Sequence, residues 1–543
     1  MRGTRVWGPL VLGTLLAVGT AAPASAQLPL PEGSAAKNVE LLTNLPEAAN
    51  ATAIDFVTYG KKDRGHGRWD WIWDWRDDDR GDEDRNAKDV MLVTGRFGLK
   101  SYDLSDPAKP KLLDEITAEQ LRLPGDPPYS PANPQSTFWQ NEDMDVDKKR
   151  KLALLSRDPR AYRGSTTREP GEVDPNGATN IAGVYVVDAK NPADLKLLNF
   201  TQLPTGHTTT CINDCEWLWT GGPASTTTQR DALGWTFGRP LIVTDLRNPS
   251  KPKAYPQQPV DLFRQDGVTA YSHDVDVDDA GIAWVAGLGG TRGYWTEGVH
   301  YDPVKRKIRL ASPLDPIPYA GGGLDDATVG PNAGGWMHNS WRPVGANAPR
   351  TDSRYGKGEL LLGTEEDFGP GADQCKDRGK FTISSLKGSY NGEGWRSTPA
   401  QPFRMQPVGS WSPYEQEGSI GTLGSCSAHY FDVDGALVTY AWYGQGTRFL
   451  DISNPAKPIQ VAYYRPDNGN VWASYLHKGY IYTADSGRGV DVLRFTRGAK
   501  VATASRKAVA APTMSSSQQK YLRGLSKSFQ PDPSAGFICM LPT

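Results

Sequence analysis

The sequence predicts an all-β chain folded as a β-propeller of seven four-stranded blades with long loop insertions. Three observations predict it. The 543 residues include 58 Gly and 42 Pro, nearly a fifth of the chain, which favours many turns over long helices. A strand-like apolar run that ends in Asp and an Asn/Asp-Pro turn returns four times along the chain. A second phrase, two strands flanking a polar turn, precedes it, so each unit supplies four strands, the size of a propeller blade.

In chain order, the N-terminus comes first. Arg2 and Arg5, the apolar stretch Pro9 to Val18 and the small residues Ala24-Ser25-Ala26 read as a secretory signal cleaved after Ala26. The apolar run falls short of the roughly 20 residues that span a bilayer, and no later stretch is long enough, so no transmembrane segment is expected. The mature chain is expected outside the cell. Residues 37–497 carry the propeller, 498–520 are a low-complexity linker rich in Ala, Ser and Gln, and 521–543 form a C-terminal tail. A net charge of −2 removes the usual electrostatic case for nucleic-acid binding. The chain is expected to be a monomer with a ligand or surface partner that the sequence does not identify.

The turn phrase reads Tyr102-Asp103-Leu104-Ser105-Asp106-Pro107, Val187-Asp188-Ala189-Lys190-Asn191-Pro192, Thr244-Asp245-Leu246-Arg247-Asn248-Pro249 and Leu450-Asp451-Ile452-Ser453-Asn454-Pro455. Asn or Asp before Pro leaves the helical region, and Pro fixes φ. The upstream Asp is placed to accept backbone N–H bonds in the turn. The preceding phrase is Glu142 to Asp147 with Leu152 to Ser156, His273 to Asp278 with Ile282 to Gly287, and His429 to Asp434 with Ala436 to Thr439. Blade starts fall near Ile54, Glu142, His207, His273, His338, His429 and Ala473, with spacings of 88, 65, 66, 65, 91 and 44 residues. Propeller repeats run about 40–50 residues, so most blades must carry insertions; Lys61 to Lys88, Pro343 to Gly358 and Asp367 to Ser412 read as such. The last unit, Val471 to Phe495, shows two clear strands and is expected to borrow one from Lys37 to Leu45. The same spacings also admit six or eight blades.

The Asp-x-Ser-Asp/Asn-Pro-x-Lys-Pro phrases, together with His338-Asn339-Ser340-Trp341 and Gly363-Thr364-Glu365-Glu366-Asp367, resemble the bacterial LVIVD-repeat proteins over roughly residues 50–496. That resemblance implies a secreted or cell-surface propeller and says little about chemistry.

The chain has seven His, and four of them, His207, His273, His338 and His429, open proposed blades. First strands line a propeller's channel, so equivalent positions form a ring around its axis. Three units align without using His as the anchor: eleven residues beyond Glu142, His207 and His273 lie Ala153, Leu218 and Trp284, each midway in an apolar strand. Converging imidazoles suit Fe, Cu or Zn, and Glu142 could be a ligand or fix a His tautomer. The arrangement is similar in architecture, though without their motifs, to carotenoid-cleaving oxygenases, which hold iron on four His, and to selenium-binding methanethiol oxidases, which use copper. The alternative is that these His residues bond loop backbones and hold the ring together; a third reading is a metal-free ligand site. Two functions follow: a binding or scaffold module at the cell surface, or a metal-dependent oxidoreductase of oxidase or oxygenase type.

Five Cys remain in an oxidising compartment, where Cys211 with Cys215 and Cys375 with Cys426 are disulfide candidates and Cys539 is left over. Trp69, Trp71, Trp73 and Trp75 alternate as on one face of a strand, to stack on a sugar or partner or to cover the propeller's own edge. The acidic residues Asp77 to Asp79 and Asp82 to Asp84 lack the spacing of an EF-hand loop and read as a solvated charged loop.

Overall fold

The computed structural model describes residues 34–60, 87–124, 126, 142–158, 181–222, 241–255, 264–265, 268–269, 272–287, 290–302, 305–319, 337–343, 358–366, 375–376, 379–386, 406–417 and 425–496. Second strands explain the sheets most directly. Leu152–Arg157, Ile282–Gly287 and Leu437–Ala441 are buried along their whole length, as expected of strands covered on both faces by neighbouring blades.

Seven four-stranded antiparallel sheets result. Blade 1 is Ala51–Tyr59, Lys88–Gly95, Gly98–Asp103 and Lys111–Thr117; blade 2 is Met144–Asp147, Leu152–Arg157, Ala182–Asp188 and Lys196–Leu203. Blade 3 is Thr208–Ile212, Trp217–Gly221, Ile242–Asp245 and Lys253–Tyr255. Blade 4, Ser272–Val277, Ile282–Gly287, Gly290–Trp295 and Ile317–Pro318, carries an inserted hairpin, Val299–Asp302 with Lys307–Leu310. Blade 5 is Met337–Trp341, Leu360–Glu365, Phe381–Ser385 and Gln406–Trp411. Blade 6 is Phe431–Asp434, Leu437–Ala441, Thr447–Asp451 and Ile459–Arg465, with Ala35–Lys37 added at its edge. Blade 7 is Val471–His477, Tyr480–Asp485 and Gly489–Phe495, completed by Val39–Leu45.

The expected strand exchange at the chain ends is therefore present. Two expectations are corrected. The last unit supplies three strands of its own, because Gly489–Phe495 pairs with both Tyr480–Asp485 and Val39–Leu45. Asp367 to Ser412 is not a plain insertion, since it contains the third and fourth strands of blade 5.

Turn chemistry follows the repeated phrase. Asp103, Asp188, Asp245 and Asp451 each accept the N–H two residues on, at 2.7, 2.9, 3.0 and 2.8 Å. The residues before Pro then make the next such turn: Asp106 to Ala108, Asn191 to Ala193, Asn248 to Ser250 and Asn454 to Ala456. In blade 3 the Cys211–Cys215 disulfide clasps a turn in which Asn213, Asp214 and Cys215 all have positive φ. A second disulfide joins Cys375 to Cys426.

The apolar core is a ring rather than a ball. The described residues form seven buried clusters, one at each blade–blade junction, such as Trp219 and Val243 against Val275 and Tyr294 between blades 3 and 4. No helix among the described residues is long and apolar enough to cross a membrane. Residues 1–26, the Trp69 to Trp75 strip, the acidic runs at 77–84, Cys539 and the C-terminal linker and tail lie outside the described residues.

Candidate metal centre

The first strands of the blades pack side by side around the axis. Backbone register marks the head of several of them. Ladder pairing skips one residue at Thr52 in blade 1, His273 in blade 4 and Trp472 in blade 7, and two at His338-Asn339 in blade 5. Such bulges re-aim a side chain that regular pleating would send elsewhere. The equivalent residues of blades 2, 3 and 6 are Glu142, His207 and His429. Blades 1 and 7 thus begin the ring at Thr52 and Trp472, slightly before the Ile54 and Ala473 suggested by the sequence.

All five predicted residues, Glu142, His207, His273, His338 and His429, meet in the channel, and each is fully buried. The Nε2 atoms of His207 and His273 are 3.0 Å apart. Glu142 Oε1 lies 3.2 Å from His338 Nε2 and 3.1 Å from His429 Nε2, whereas its Oε2 lies 3.9 Å from His207 Nε2.

Three of the four far nitrogens are engaged elsewhere, while His338 Nδ1 has no hydrogen-bond partner. His273 Nδ1 donates to the His338 carbonyl at 2.9 Å, and His429 Nδ1 donates to the Trp472 carbonyl at 2.6 Å. His207 Nδ1 meets the Asp158 carboxylate at 2.7 Å. A carbonyl only accepts, so neutral His273 carries its proton on Nδ1 and turns Nε2 inward as an acceptor. His207 and His429 are anchored through Nδ1 in the same way, so their Nε2 atoms also point inward, toward His273 and Glu142. A cation placed among these inward nitrogens and the carboxylate would be attracted by all of them. This is how metal-bound imidazoles are held: the outer N–H is anchored and the inner lone pair is free.

Electrostatics agree. Burial, then repulsion from His338 and His207, hold His273 well below the usual imidazole range, so it stays neutral. Burial and the neighbouring His429 push His338 down to about 3 against the pull of Glu142. Burial alone would raise Glu142, but hydrogen bonds from His338 and His429 and the charge of His207 outweigh it and keep this carboxylate ionised.

The ring is also tied together through the backbone of its head residues. Ser156 of blade 2 donates to the His207 carbonyl, Thr208 to that of His273 and Thr364 to that of His429, so each head residue is tied to the blade before it. Gly222 makes room for His207: its φ is +112°, and a Cβ there would come 2.1 Å from His207 Cβ.

Sequence reasoning missed Asp158 and, as a channel residue, Glu366. Both are buried and both follow directly on the second strand of their blade, Leu152–Arg157 and Leu360–Glu365. An acidic residue directly after an apolar strand was the available signal, at Glu366 set within the run Glu365-Glu366-Asp367. Glu366 Oε1 lies 3.8 Å from His429 Nε2 and accepts from the Tyr443 hydroxyl. The liganding atoms form three triads in which every atom lies within 4.8 Å of the others: Glu142, His338 and His429; Glu142, His207 and His273; His273, His338 and Glu366.

No protein-family model matches the sequence, and no curated protein does either. Among solved structures the chain is similar to the WD40 repeats of RRP9 (TM-score 0.42, 8% identity, covering 84% of this chain and 96% of that one). It is similar to U3-55K (TM-score 0.42, 9% identity, 84% and 97%) and to a protein from Lactobacillus plantarum (TM-score 0.40, 8% identity, 72% and 84%). The blade assignment rests on the strand ladders alone. The chain is a seven-bladed β-propeller whose channel gathers four imidazoles and a carboxylate that could hold a metal ion.

Proposed function

We propose that this protein is an exported metalloprotein, a propeller that holds a transition metal in its channel and acts as a metal-dependent oxidoreductase of oxidase or oxygenase type. The carrying observation is the convergence of buried donor atoms from five blades: the Nε2 atoms of His207 and His273 stand 3.0 Å apart, and Glu142 forms a triad with each His pair whose atoms lie within 4.8 Å of one another. Iron, copper or zinc suits this donor set, and the redox reading takes iron or copper. A bound metal would supply Lewis acidity and, for iron or copper, electron transfer. The chain's residues do the rest. Asp158 and the His338 and Trp472 carbonyls fix the imidazoles, and Tyr443 with Glu366 provides a hydroxyl–carboxylate pair able to move a proton beside His429. Two disulfides fit an oxidising compartment and support export.

The test is elemental analysis of untagged, metal-supplemented protein alongside His273→Ala. The expected outcome is stoichiometric transition metal in the parent and a loss of at least about tenfold in the variant, as removal of an anchored ligand implies. A parent metal content below about a tenth of an ion per chain would overturn the proposal.

A second reading, a binding or scaffold module at the cell surface, is favoured by the blade 4 hairpin. There Val299, Tyr301, Ile308 and Leu310 are exposed on one face, while His300 stacks on Trp295 and Asp302 pairs with Arg309 on the other. On that reading the biological activity survives removal of the metal.

A further inference from the structure

The geometry points to a centre of two metal ions bridged by the Glu142 carboxylate, one ion held by His207, His273 and Glu142 Oε2, the other by His338, His429, Glu142 Oε1 and Glu366. This inference rests on the metal-centre reading above and names the class of cofactor, a carboxylate-bridged pair of divalent transition ions.

Three observations carry it. First, Glu142 divides its oxygens. Oε1 faces His338 and His429 at 3.2 and 3.1 Å, and Oε2 faces His207 at 3.9 Å, so one carboxylate offers an oxygen to each end of the imidazole arc. Two ligand atoms bound about 2.0–2.1 Å from one ion at angles of about 90–110° stand about 3.0–3.4 Å apart. The His207–His273, His338–Glu142 and His429–Glu142 distances of 3.0, 3.2 and 3.1 Å fall in that range, pair by pair. A carboxylate that offers one oxygen to each ion is the usual bridge for ions about 3.5–4 Å apart.

Second, Glu142 is the residue common to the His207–His273 and His338–His429 triads, as a bridge would be; a third triad, His273, His338 and Glu366, crosses between them. Glu366 adds a further donor on the His429 side, at 3.8 Å, leaving the His207 side with three protein ligands. One ion is thereby closed, and the other keeps a position for substrate.

Third, the carboxylates lie deep in the fold. Glu142, Asp158, Glu366 and Asp274 are all nine-tenths buried or more, and Asp274, next to His273, has an Oδ2 with no hydrogen-bond partner. Buried carboxylates are costly without a partner, and divalent cations among them would offset that cost.

The experiment uses full-length protein stripped with chelator and titrated with Cu(II) or Co(II), with bound metal counted after desalting. The expected result is saturation at about two ions per chain, with the Cu(II)-loaded form showing spin–spin coupling in its electron paramagnetic resonance spectrum. His207→Ala and His429→Ala, each checked for fold by circular dichroism, should each keep about one ion and lose the coupling. Saturation at one ion in the parent, or two ions without coupling, overturns the bridged pair and leaves the metal centre standing. No bound ion in the parent overturns both. Because the decisive count and spectrum come from the parent chain, a variant that fails to fold does not spare the inference.

Discussion

Blades 2 to 6 and blades 7 and 1 use the same place in the repeat to opposite ends. At the head of the first strand, the five-blade arc presents Glu142, His207, His273, His338 and His429, whereas the other two blades present Trp472 and Thr52. The backbone device does not separate them: a bulge occurs at Thr52 and Trp472 as well as at His273 and His338. Trp472 packs with Ile54, Ala473, Tyr482 and Val490 in the apolar cluster where the ring closes. The same backbone device therefore carries a polar channel group in one arc and a packing group in the other, and the residue type decides which. A structural role alone would not require imidazoles in one unbroken arc.

The comparison breaks most visibly if packing and binding are not separable. Trp472→Ala, on the closing side, should cost about 3–5 kcal/mol by thermal or denaturant unfolding, as deletion of a fully buried Trp does. Metal content of the folded fraction should stay at the parent value. Loss of the metal with little loss of stability would reverse the assignment of the two regions.

A smaller effect sharpens the arc itself. The Cys375–Cys426 bond joins blade 5 to the approach of His429. Replacing both by Ser should cost about 2–4 kcal/mol, more than replacing Cys211 and Cys215, which enclose only a short turn. If the two pairs cost the same, closure of the longer loop is not what the first contributes.

The smallest effect is in pH. Three residues beyond Glu142 and His429 lie Asp145 and Asp432, which accept the N–H of Cys211 and Leu476 in the next blade. Burial pushes both carboxyls up to about 6, and Lys148 offsets this in part, so the folded state holds their protons over a range where the unfolded chain has lost them. Stability is then greatest below about pH 4 for these two groups and falls as pH rises through about 6. Across pH 4–7 the melting midpoint of the metal-free parent should fall relative to that of Asp432→Asn, a comparison from which the opposite contribution of His273 and His338 cancels. A parent midpoint that gains on the variant's as pH rises would contradict the inverted sign.

Much of this was legible beforehand because the repeat is periodic in both senses. Asp-Pro turns mark strand ends, and a fixed offset from Glu142, His207 and His273 to apolar strand centres puts like residues at like radii. Thr52 and Trp472 escaped because a bulge consumes a residue without altering the apolar pattern, which shifted the marks to Ile54 and Ala473. Asp158 and Glu366 escaped because they sit after the second strand, where the repeat carries no phrase, and only folding brings them back to the axis. The third strand of blade 7 was masked by its charged residues, Asp491 and Arg494, whose partners Asn44, Arg488 and Glu40 come from distant chain or the adjoining turn.

The strand Val39–Leu45, laid against Gly489–Phe495, sets the order in which this molecule can be made. The earliest part of the propeller to leave the ribosome must wait for the latest before the circle can shut. His207 and His429 are synthesised hundreds of residues apart and are brought to one axis by that final clasp. The donor ring to which both belong is therefore complete only once that circle is.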